Sequence, residues 1–293
     1  MAIVILSRGN SGLSTCTTQY LVAMATADLL VIITEVITRR INVSYFQLTF
    51  LWITSVCKVQ YVLNRAALDC SVWFTVAFTF DRFVAICWQK LKCKYCTKKT
   101  AEVVLATTGS LLCLKSIPMY FRFEPAKIID NVPMRCVNKP SYFTDPRWIG
   151  FRMFEKALSP LIPFGLILLF NALTVRHILV TSRVRKALRG QSKGENQSDP
   201  EMESRRKSIV LLFSISGSFI LLWSVYLLCF FGAADGLDDD SYYTFGRIGN
   251  TLRNLSCCTN TFIYVVTQSQ FRDQLKSAVK YPVTSIINLI NKR

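Results

Sequence analysis

The chain has 293 residues, of which 51% are hydrophobic and 18% charged, and its formal net charge is +17. A soluble domain carries about 25% charged residues, and here the charges are gathered between long apolar stretches. This composition excludes an intrinsically disordered chain and disfavours a water-soluble single core. The single histidine of the sequence, His177, removes most metal-binding and Ser-His-Asp chemistry from consideration.

A membrane-spanning helix needs about 20 mostly apolar residues. In chain order, such segments predict helices at residues 19–38, 57–87, 101–121, 150–182, 205–231 and 245–268. The segment 101–121 has the weakest pattern, because Glu102 and Lys115 interrupt it. Buried helices of a large soluble bundle are the alternative, but a soluble helix needs a polar face and residues 209–231 contain no charge.

The two ends of the chain add shorter elements. Residues 1–8 begin with a short apolar run whose basic residue follows it, unlike in a signal peptide. We interpret this run as the end of a first helix whose beginning is absent from the chain. Apolar residues alternate with Arg272, Lys276 and Lys280, which predicts an amphipathic helix at residues 270–280 on the inner membrane surface. The expected fold is an all-α membrane protein with one domain over residues 1–293, a seven-transmembrane-helix bundle with six complete spans and a stub of the first.

The distribution of basic residues predicts the orientation of this bundle. Lysine and arginine are concentrated in one set of loops, near residues 90–99, 176–207 and 272–293. Because cytoplasmic loops carry such an excess, we expect the N-terminus outside, the C-terminus in the cytoplasm and the plasma membrane as location. Nucleic-acid binding, the other interpretation of a +17 charge, needs basic residues on one exposed face and is not expected here.

Cysteines and one sequon add expectations for the outside loops. Cys57 lies at the outer end of the helix 57–87 and Cys136 in the long loop that follows residue 122, both on the oxidising side. A disulfide between them would hold this loop over the helix ends. Cys93 and Cys96 are only half of a zinc site, so a reduced pair is favoured. Asn42 begins a glycosylation sequon, and its position near the bilayer leaves its modification open.

No enzyme activity is expected. Nucleophilic catalysis needs a base beside the nucleophile, and His177 has no carboxylate near it in the sequence. The sequence also lacks a visible phosphate-binding glycine loop, so no organic cofactor is predicted.

Ionisable and polar residues inside membrane helices are costly, so each of them is a functional hypothesis. Asp28 lies in the helix 19–38, and Asp81, Arg82 and Phe83 lie at the cytoplasmic end of the helix 57–87. Further residues at characteristic spacings are Pro163, Phe219, Trp223, Asn260 and Tyr264. Together these motifs resemble those of the rhodopsin-like (class A) G-protein-coupled receptors, and in more detail the orphan group of G-protein coupled receptor 139.

The resemblance implies a role for each motif. Asp81-Arg82-Phe83 matches the DRY motif, which implies that Arg82, once released from Asp81, binds a heterotrimeric G protein. Trp223 matches the sixth-helix toggle tryptophan, and Asn260 to Tyr264 match the NPxxY motif. The orphan group implies an amino acid or short peptide as the extracellular ligand. Three positions depart from the family, since Thr261 and Val225 replace helix-kinking prolines and Asn171 replaces a tyrosine.

The resemblance also implies a ligand pocket at the outer end of the bundle. Its expected residues are Asn64, Arg65, Leu68, Asp69, Glu155, Trp223 and Arg253. Asn64 stands where amine receptors carry an aspartate, which disfavours a biogenic amine. Our hypothesis is that Arg65 or Arg253 binds a ligand carboxylate while Glu155 binds its amine. The alternative is that these charges pair with one another, as Arg65 and Asp69 can at their spacing of four residues.

Two further questions stay open. Asp28, Ser71 and Asn260 could hold a sodium ion as an allosteric ligand, or form a water-bridged polar network. A transporter would show internal repeats or interrupted helices, and the sequence has no convincing repeat. A truncated, non-signalling receptor fragment is the other alternative.

Overall fold

A computed structural model describes residues 2–7, 13–41, 45, 50–189, 200–231 and 238–277. Helices account for most of this part. They are α1 (Ala2–Ser7), α2 (Thr15–Val31, continued by a π-helix over Ile32–Ile41), α3 (Thr54–Cys87), α4 (Gln89–Tyr95), α5 (Lys98–Ser116, continued by a 3-10 helix over Ile117–Arg122), α6 (Ser141–Thr144), α7 (Pro146–Lys156, joined by a π-helix over Ala157–Leu161 to α8, Ile162–Arg189), α9 (Pro200–Phe230) and α10 (Asp239–Thr267). Residues 269–277 are also helical.

Several of these helices begin at a residue whose side chain accepts a backbone N–H. Thr97 accepts from Thr100 at 3.2 Å, and Asp145 from Arg147 at 2.8 Å. Asp238 caps α10 in the same way at 3.1 Å, and hydrogen bonds from Ser241 lower the pKa of the Asp238 carboxyl. Such caps satisfy amide groups that have no partner inside the helix.

Within the described residues, five helical segments are long and apolar enough to span a membrane. They are Thr15–Ile41, Thr54–Cys87, Lys98–Arg122, Pro146–Val184 and Arg206–Cys229. The sixth predicted span corresponds to α10, which has the length but not the apolar composition. Its buried residues include Asn254 and Asn260, so polar groups of this helix face the protein instead of lipid.

The loop after α5 contains a β-hairpin, which the all-α expectation did not include. Strands β1 (Phe123–Ile129) and β2 (Val132–Asn138) are antiparallel. Their two-residue turn is Asp130-Asn131, with φ values of 48° and 59°. Asp and Asn tolerate this left-handed conformation better than most residues, and it matches the twist of paired strands. The same loop then forms α6 and α7, so the helix predicted at 150–182 begins earlier, at Pro146.

The hairpin covers one end of the bundle, called here the cavity end. Cys136 of β2 and Cys57 of α3 form the predicted disulfide, with their Cα atoms 6.3 Å apart. Thr54 Oγ1 also donates to the Arg135 carbonyl oxygen at 2.7 Å, and the Tyr61 and Phe123 rings pack at 4.5 Å. Cys93 lies in α4 and Cys96 directly follows this helix. Both are free thiols.

The buried side chains form two apolar clusters. One joins α1 and α2 to α3, α5, α9 and α10 and includes Leu21, Phe78 and Ile215. The other includes Ile167, Phe219 and Trp223 and lies under the cavity end. Asn42 and the predicted helical residues 278–280 lie outside the described residues, so their predictions are not addressed by the structure.

Candidate functional site

The cavity end contains two adjoining cavities, with volumes of about 170 and 270 Å³. Both are lined by Arg65, Leu68, Met119, Arg122 and Arg253. Of the predicted pocket residues, Asn64 lines the larger cavity, and Glu155 and Trp223 line the smaller one. Asp69 is fully buried beside them and reaches the site through its ion pairs.

A buried ionic cluster lies beside the smaller cavity. Arg65 Nε is 2.8 Å from Glu155 Oε2 and 3.3 Å from Asp69 Oδ2. Lys115 Nζ is 2.5 Å from Asp69 Oδ2 and also forms an ion pair with Glu155. Ser159 completes the cluster, because it accepts from Arg65 Nη2 at 2.6 Å and donates to Asp69 Oδ1 at 2.5 Å.

This ionic cluster contains two cations and two carboxylates, so its formal charge is zero. A buried charge is costly unless it is paired, and each member here has two oppositely charged neighbours. The arrangement corresponds to the alternative in which the pocket charges pair with one another. Lys115 was not among the predicted site residues. The available signal was its position inside an otherwise apolar segment.

A second group of charges surrounds Glu35, another residue that the sequence prediction did not assign to the site. Glu35 is buried and pairs with Arg39 and with Arg40, whose Nε is 3.3 Å away. Asn64 Nδ2 donates to Glu35 Oε2 at 2.8 Å, and Thr34 donates to Asn64 Oδ1 at 3.2 Å. The Asn64 amide therefore orients the Glu35 carboxylate.

The π-helix before α8 brings Ser159 into the ionic cluster. The Ile162 N–H donates to the Ala157 carbonyl, five residues earlier. In this pattern the Leu158 carbonyl would accept from residue 163, but Pro163 has no N–H. Trp73 Nε1 of α3 donates to that carbonyl instead, at 3.1 Å. Pro163, predicted from the motif, thus leaves the Leu158 carbonyl free to join the π-helix before α8 to α3.

The floor of the smaller cavity connects it to the core of α9 and α10. Trp223 lines this cavity and stacks on Phe219, with ring centroids 5.0 Å apart. Its indole Nε1 donates to Ser256 Oγ of α10 at 3.1 Å. The Tyr226 ring packs edge-on against Trp223 at 5.8 Å. A molecule bound in this cavity would therefore contact Trp223, whose hydrogen bond to Ser256 links α9 to α10.

In the middle of the bundle, Asp28, Ser71 and Asn260 are joined by direct hydrogen bonds. Ser71 Oγ donates to Asp28 Oδ1 at 2.5 Å, and Asn260 Nδ2 donates to Asp28 Oδ2 at 2.8 Å. In helix α8, Asn171 accepts a hydrogen bond from Ser216 of α9 at 3.1 Å. The residue that replaces the family tyrosine therefore links these two helices.

The opposite end of the bundle, called here the Arg82 end, contains the DRY-like motif. Arg82 forms an ion pair with Asp81, and both side chains are buried. Arg82 Nη1 also donates to Ser208 Oγ of α9 at 3.2 Å. Cys16 Sγ of α2 donates to Asp81 Oδ1 at 3.2 Å. Phe83 packs against Phe170 of α8 at 5.7 Å.

The NPxxY-like segment reaches the same end. The Tyr264 side chain is fully buried, packs edge-on against Phe271 at 5.9 Å, and its hydroxyl has no hydrogen-bond partner among the described residues. Phe271, in the helical segment 269–277, is also fully buried. Tyr264 thus holds this terminal segment against the bundle by packing alone.

Comparison with known proteins agrees with this arrangement. The family model described as 7 transmembrane receptor (rhodopsin family) matches residues 1–264. Similar curated proteins include the N-arachidonyl glycine receptor of Bos taurus (22% identity; 77% of this chain, 64% of the relative), the B1 bradykinin receptor of Sus scrofa (25%; 75% and 61%) and the cysteinyl leukotriene receptor 1 of Mus musculus (22%; 94% and 75%). The matched region thus covers less than two thirds of the first two relatives.

This chain belongs to the rhodopsin family of seven-transmembrane receptors, because the family model covers most of its length. The family and the apolar helices make it a multi-pass membrane protein. The matched relatives are receptors by name.

Proposed function

We propose that this member of the rhodopsin family is a signalling receptor, not an enzyme, in which a small extracellular ligand at the cavity end activates a heterotrimeric G protein at the Arg82 end. The proposal includes a seven-helix bundle in the plasma membrane, with the N-terminus outside and the C-terminus in the cytoplasm. It also includes the kinship with the orphan group named above, and hence an amino acid or short peptide as ligand.

The position of Trp223 carries this proposal. Its ring lines the cavity, stacks on Phe219 and is hydrogen-bonded to α10. A ligand that moves Trp223 shifts α9, and the far part of α9 holds Arg82 through Ser208. A ligand acts by binding one arrangement of the bundle better than another. Loss of the Arg82–Ser208 hydrogen bond, together with release of Arg82 from Asp81, would free the guanidinium for the G protein.

The names of the relatives support a receptor without identifying its ligand. They refer to an acyl glycine, a peptide and a cysteinyl leukotriene, so different ligand classes occur among proteins of similar distance from this chain. The ligand must therefore be inferred from the cavity itself.

The network around Asp28 supports a secondary proposal. Asp28 and Ser71 offer oxygen atoms of the hard type that sodium prefers, whereas Asn260 presents its amide nitrogen to Asp28. These residues would hold a sodium ion if the Asn260 amide turned its oxygen inward. A dependence of ligand affinity on sodium that disappears in Asp28→Asn would support this arrangement.

The direct test is a cell assay of calcium and cAMP with the full chain, screened against amino acids and short peptides. We expect a response that disappears in Arg82→Ala while surface expression is kept. Exposed Arg247 provides a control, because Arg247→Ala removes the same charge away from the motif. Silence of a surface-expressed receptor, with no loss of basal signal in Arg82→Ala, would favour the non-signalling fragment instead.

A further inference from the structure

The cavity-end charges are unevenly paired, and this unevenness indicates the chemistry of the ligand. Six basic residues and two acidic residues line the two cavities, and both acidic residues, Glu35 and Glu155, already have cationic partners. A ligand amine would therefore meet carboxylates whose charge is already balanced by arginine or lysine, which reduces what an ion pair with it would gain.

Arg253 is the opposite case. It lines both cavities, yet no carboxylate lies within 4.0 Å of its guanidinium in the described part of the chain. Its Nε is buried and has no hydrogen-bond partner there. The face of Tyr226 lies 4.9 Å from the guanidinium carbon, and Glu35 attracts the guanidinium from beyond ion-pairing distance. A half-buried cation without a carboxylate in contact is incompletely compensated, and an anionic ligand would supply the missing contact.

Arg122 adds a second donor above the same space. It donates to Asn138 at 2.9 Å and lies 4.5 Å over the rings of Phe123 and Tyr142, again without a carboxylate within ion-pairing distance among the described residues. Leu68, Met119 and Trp223 supply apolar walls. The combination of a planar cation, aromatic faces and a small volume suits a compact acid with an apolar body.

We infer that the ligand is a small organic acid whose carboxylate binds Arg253, and that its amine, where it has one, contributes little. This inference rests on the proposed function, since it names the ligand of the same cavity. The sequence-based hypothesis had Glu155 binding an amine of the ligand. The inference differs from it in this respect, because Glu155 is assigned to the ionic cluster with Arg65 and Lys115.

The test is thermal unfolding of the purified receptor with matched acids and amides at about 1 mM, where even a ligand with a Kd of about 1 mM half-fills the site. Suitable pairs are phenylacetate with phenylacetamide, indole-3-acetate with indole-3-acetamide, and N-acetylphenylalanine with its amide. We expect at least one acid, but not its amide, to raise the Tm. Removing a charged hydrogen-bond partner should weaken that acid at least about tenfold in Arg253→Met.

Two variants make this result specific. Arg247→Met removes an equal charge from an exposed position of α10 and should bind the acid like the parent chain. Arg253→Met should also raise the Tm of the ligand-free receptor, because it removes a half-buried cation that has no carboxylate within ion-pairing distance among the described residues, and this second readout shows that the variant is folded.

The inference is overturned if no acid stabilises the receptor, if amides stabilise it equally, or if Arg253→Met binds the acid unchanged. These failures are separable from those of the proposed function. Acid binding without any cellular signal supports the inference and counts against signalling. A cellular response to amines that Arg253→Met leaves intact supports signalling and overturns the inference.

Discussion

At the cavity end, Arg65, Lys115, Asp69 and Glu155 bind one another across three helical segments, whereas at the Arg82 end Arg82 pairs with Asp81, its neighbour in the sequence. Hydrogen bonds join this second pair to other helices, since Arg82 donates to Ser208 of α9 and Asp81 accepts from Cys16 of α2. Separating α3 from α5 and α7 would break the Lys115–Asp69 and Arg65–Glu155 ion pairs, whereas moving α9 away from Arg82 would break the hydrogen bond between Arg82 and Ser208. The comparison indicates that ion pairs between helices brace the cavity end, whereas the contacts described for the Arg82 pair with other helices are hydrogen bonds.

The largest expected effect tests the bracing. Asp69→Asn leaves Arg65 and Lys115 with one carboxylate between them, so we expect a loss of about 3 kcal/mol in stability, as for other broken buried pairs. Thermal unfolding of the purified receptor measures it. The control is Glu102→Gln, which breaks an exposed pair with Lys98 on the same helix as Lys115 and should cost less than about 1 kcal/mol. Equal losses in the two variants would contradict the braced end.

A smaller effect is expected for the neutral link between α3 and the π-helix. Trp73→Phe keeps the aromatic volume but leaves the Leu158 carbonyl without the Trp73 donor, beside a proline that cannot donate. The cost should be about 1–3 kcal/mol. Trp88→Phe makes the same chemical change at an exposed position and serves as the control. An unchanged Tm for Trp73→Phe would mean that another donor satisfies this carbonyl.

The smallest energetic effect belongs to the Arg82 end, although it should be visible in signalling. Ser208→Ala removes a hydrogen bond worth about 0.5–1.5 kcal/mol, which corresponds to a rise in basal G-protein activation of about 2- to 10-fold. The matched control is Ser218→Ala, because among the described residues the Ser218 hydroxyl donates to the Ile215 carbonyl of its own helix, and it should leave basal activity unchanged. A large loss of stability in Ser208→Ala would reverse the comparison between the two ends.

Some contacts of the site could be predicted from the sequence by residue spacing, by the side of the membrane and by family motifs. Arg65 and Asp69 could pair because residues four apart share a helix face, and in the structure they form this ion pair. The Cys57–Cys136 disulfide followed from the side of the membrane on which both cysteines were placed. The family motifs placed Asp28, Ser71 and Asn260 at one site, for a sodium ion or a water-bridged network, and in the structure these side chains hydrogen-bond to one another directly.

Other parts needed contacts between distant segments. In the sequence, Lys115 is a charge that interrupts the least apolar of the predicted spans. Only the packing of α5 against α3 shows that its charge is paired with the carboxylate of Asp69. The hairpin had one local signal, Asp130-Asn131 between β-branched residues, but strand pairing depends on partners that a single strand does not reveal. The polar character of α10 likewise makes sense only because Asn254 and Asn260 face protein.

What the sequence determined by itself is the membrane class, the order of the helices and the positions of the motifs, because apolar length and residue spacing are properties of one segment at a time. Only the tertiary structure decided which charges are neutralised. Arg65 and Arg253 look equivalent as cations in predicted membrane helices, yet one has two carboxylates beside it and the other has none within ion-pairing distance in the described residues. An ion pair with direct hydrogen bonds needs its charged atoms within about 4 Å of each other, so it depends on which helices meet.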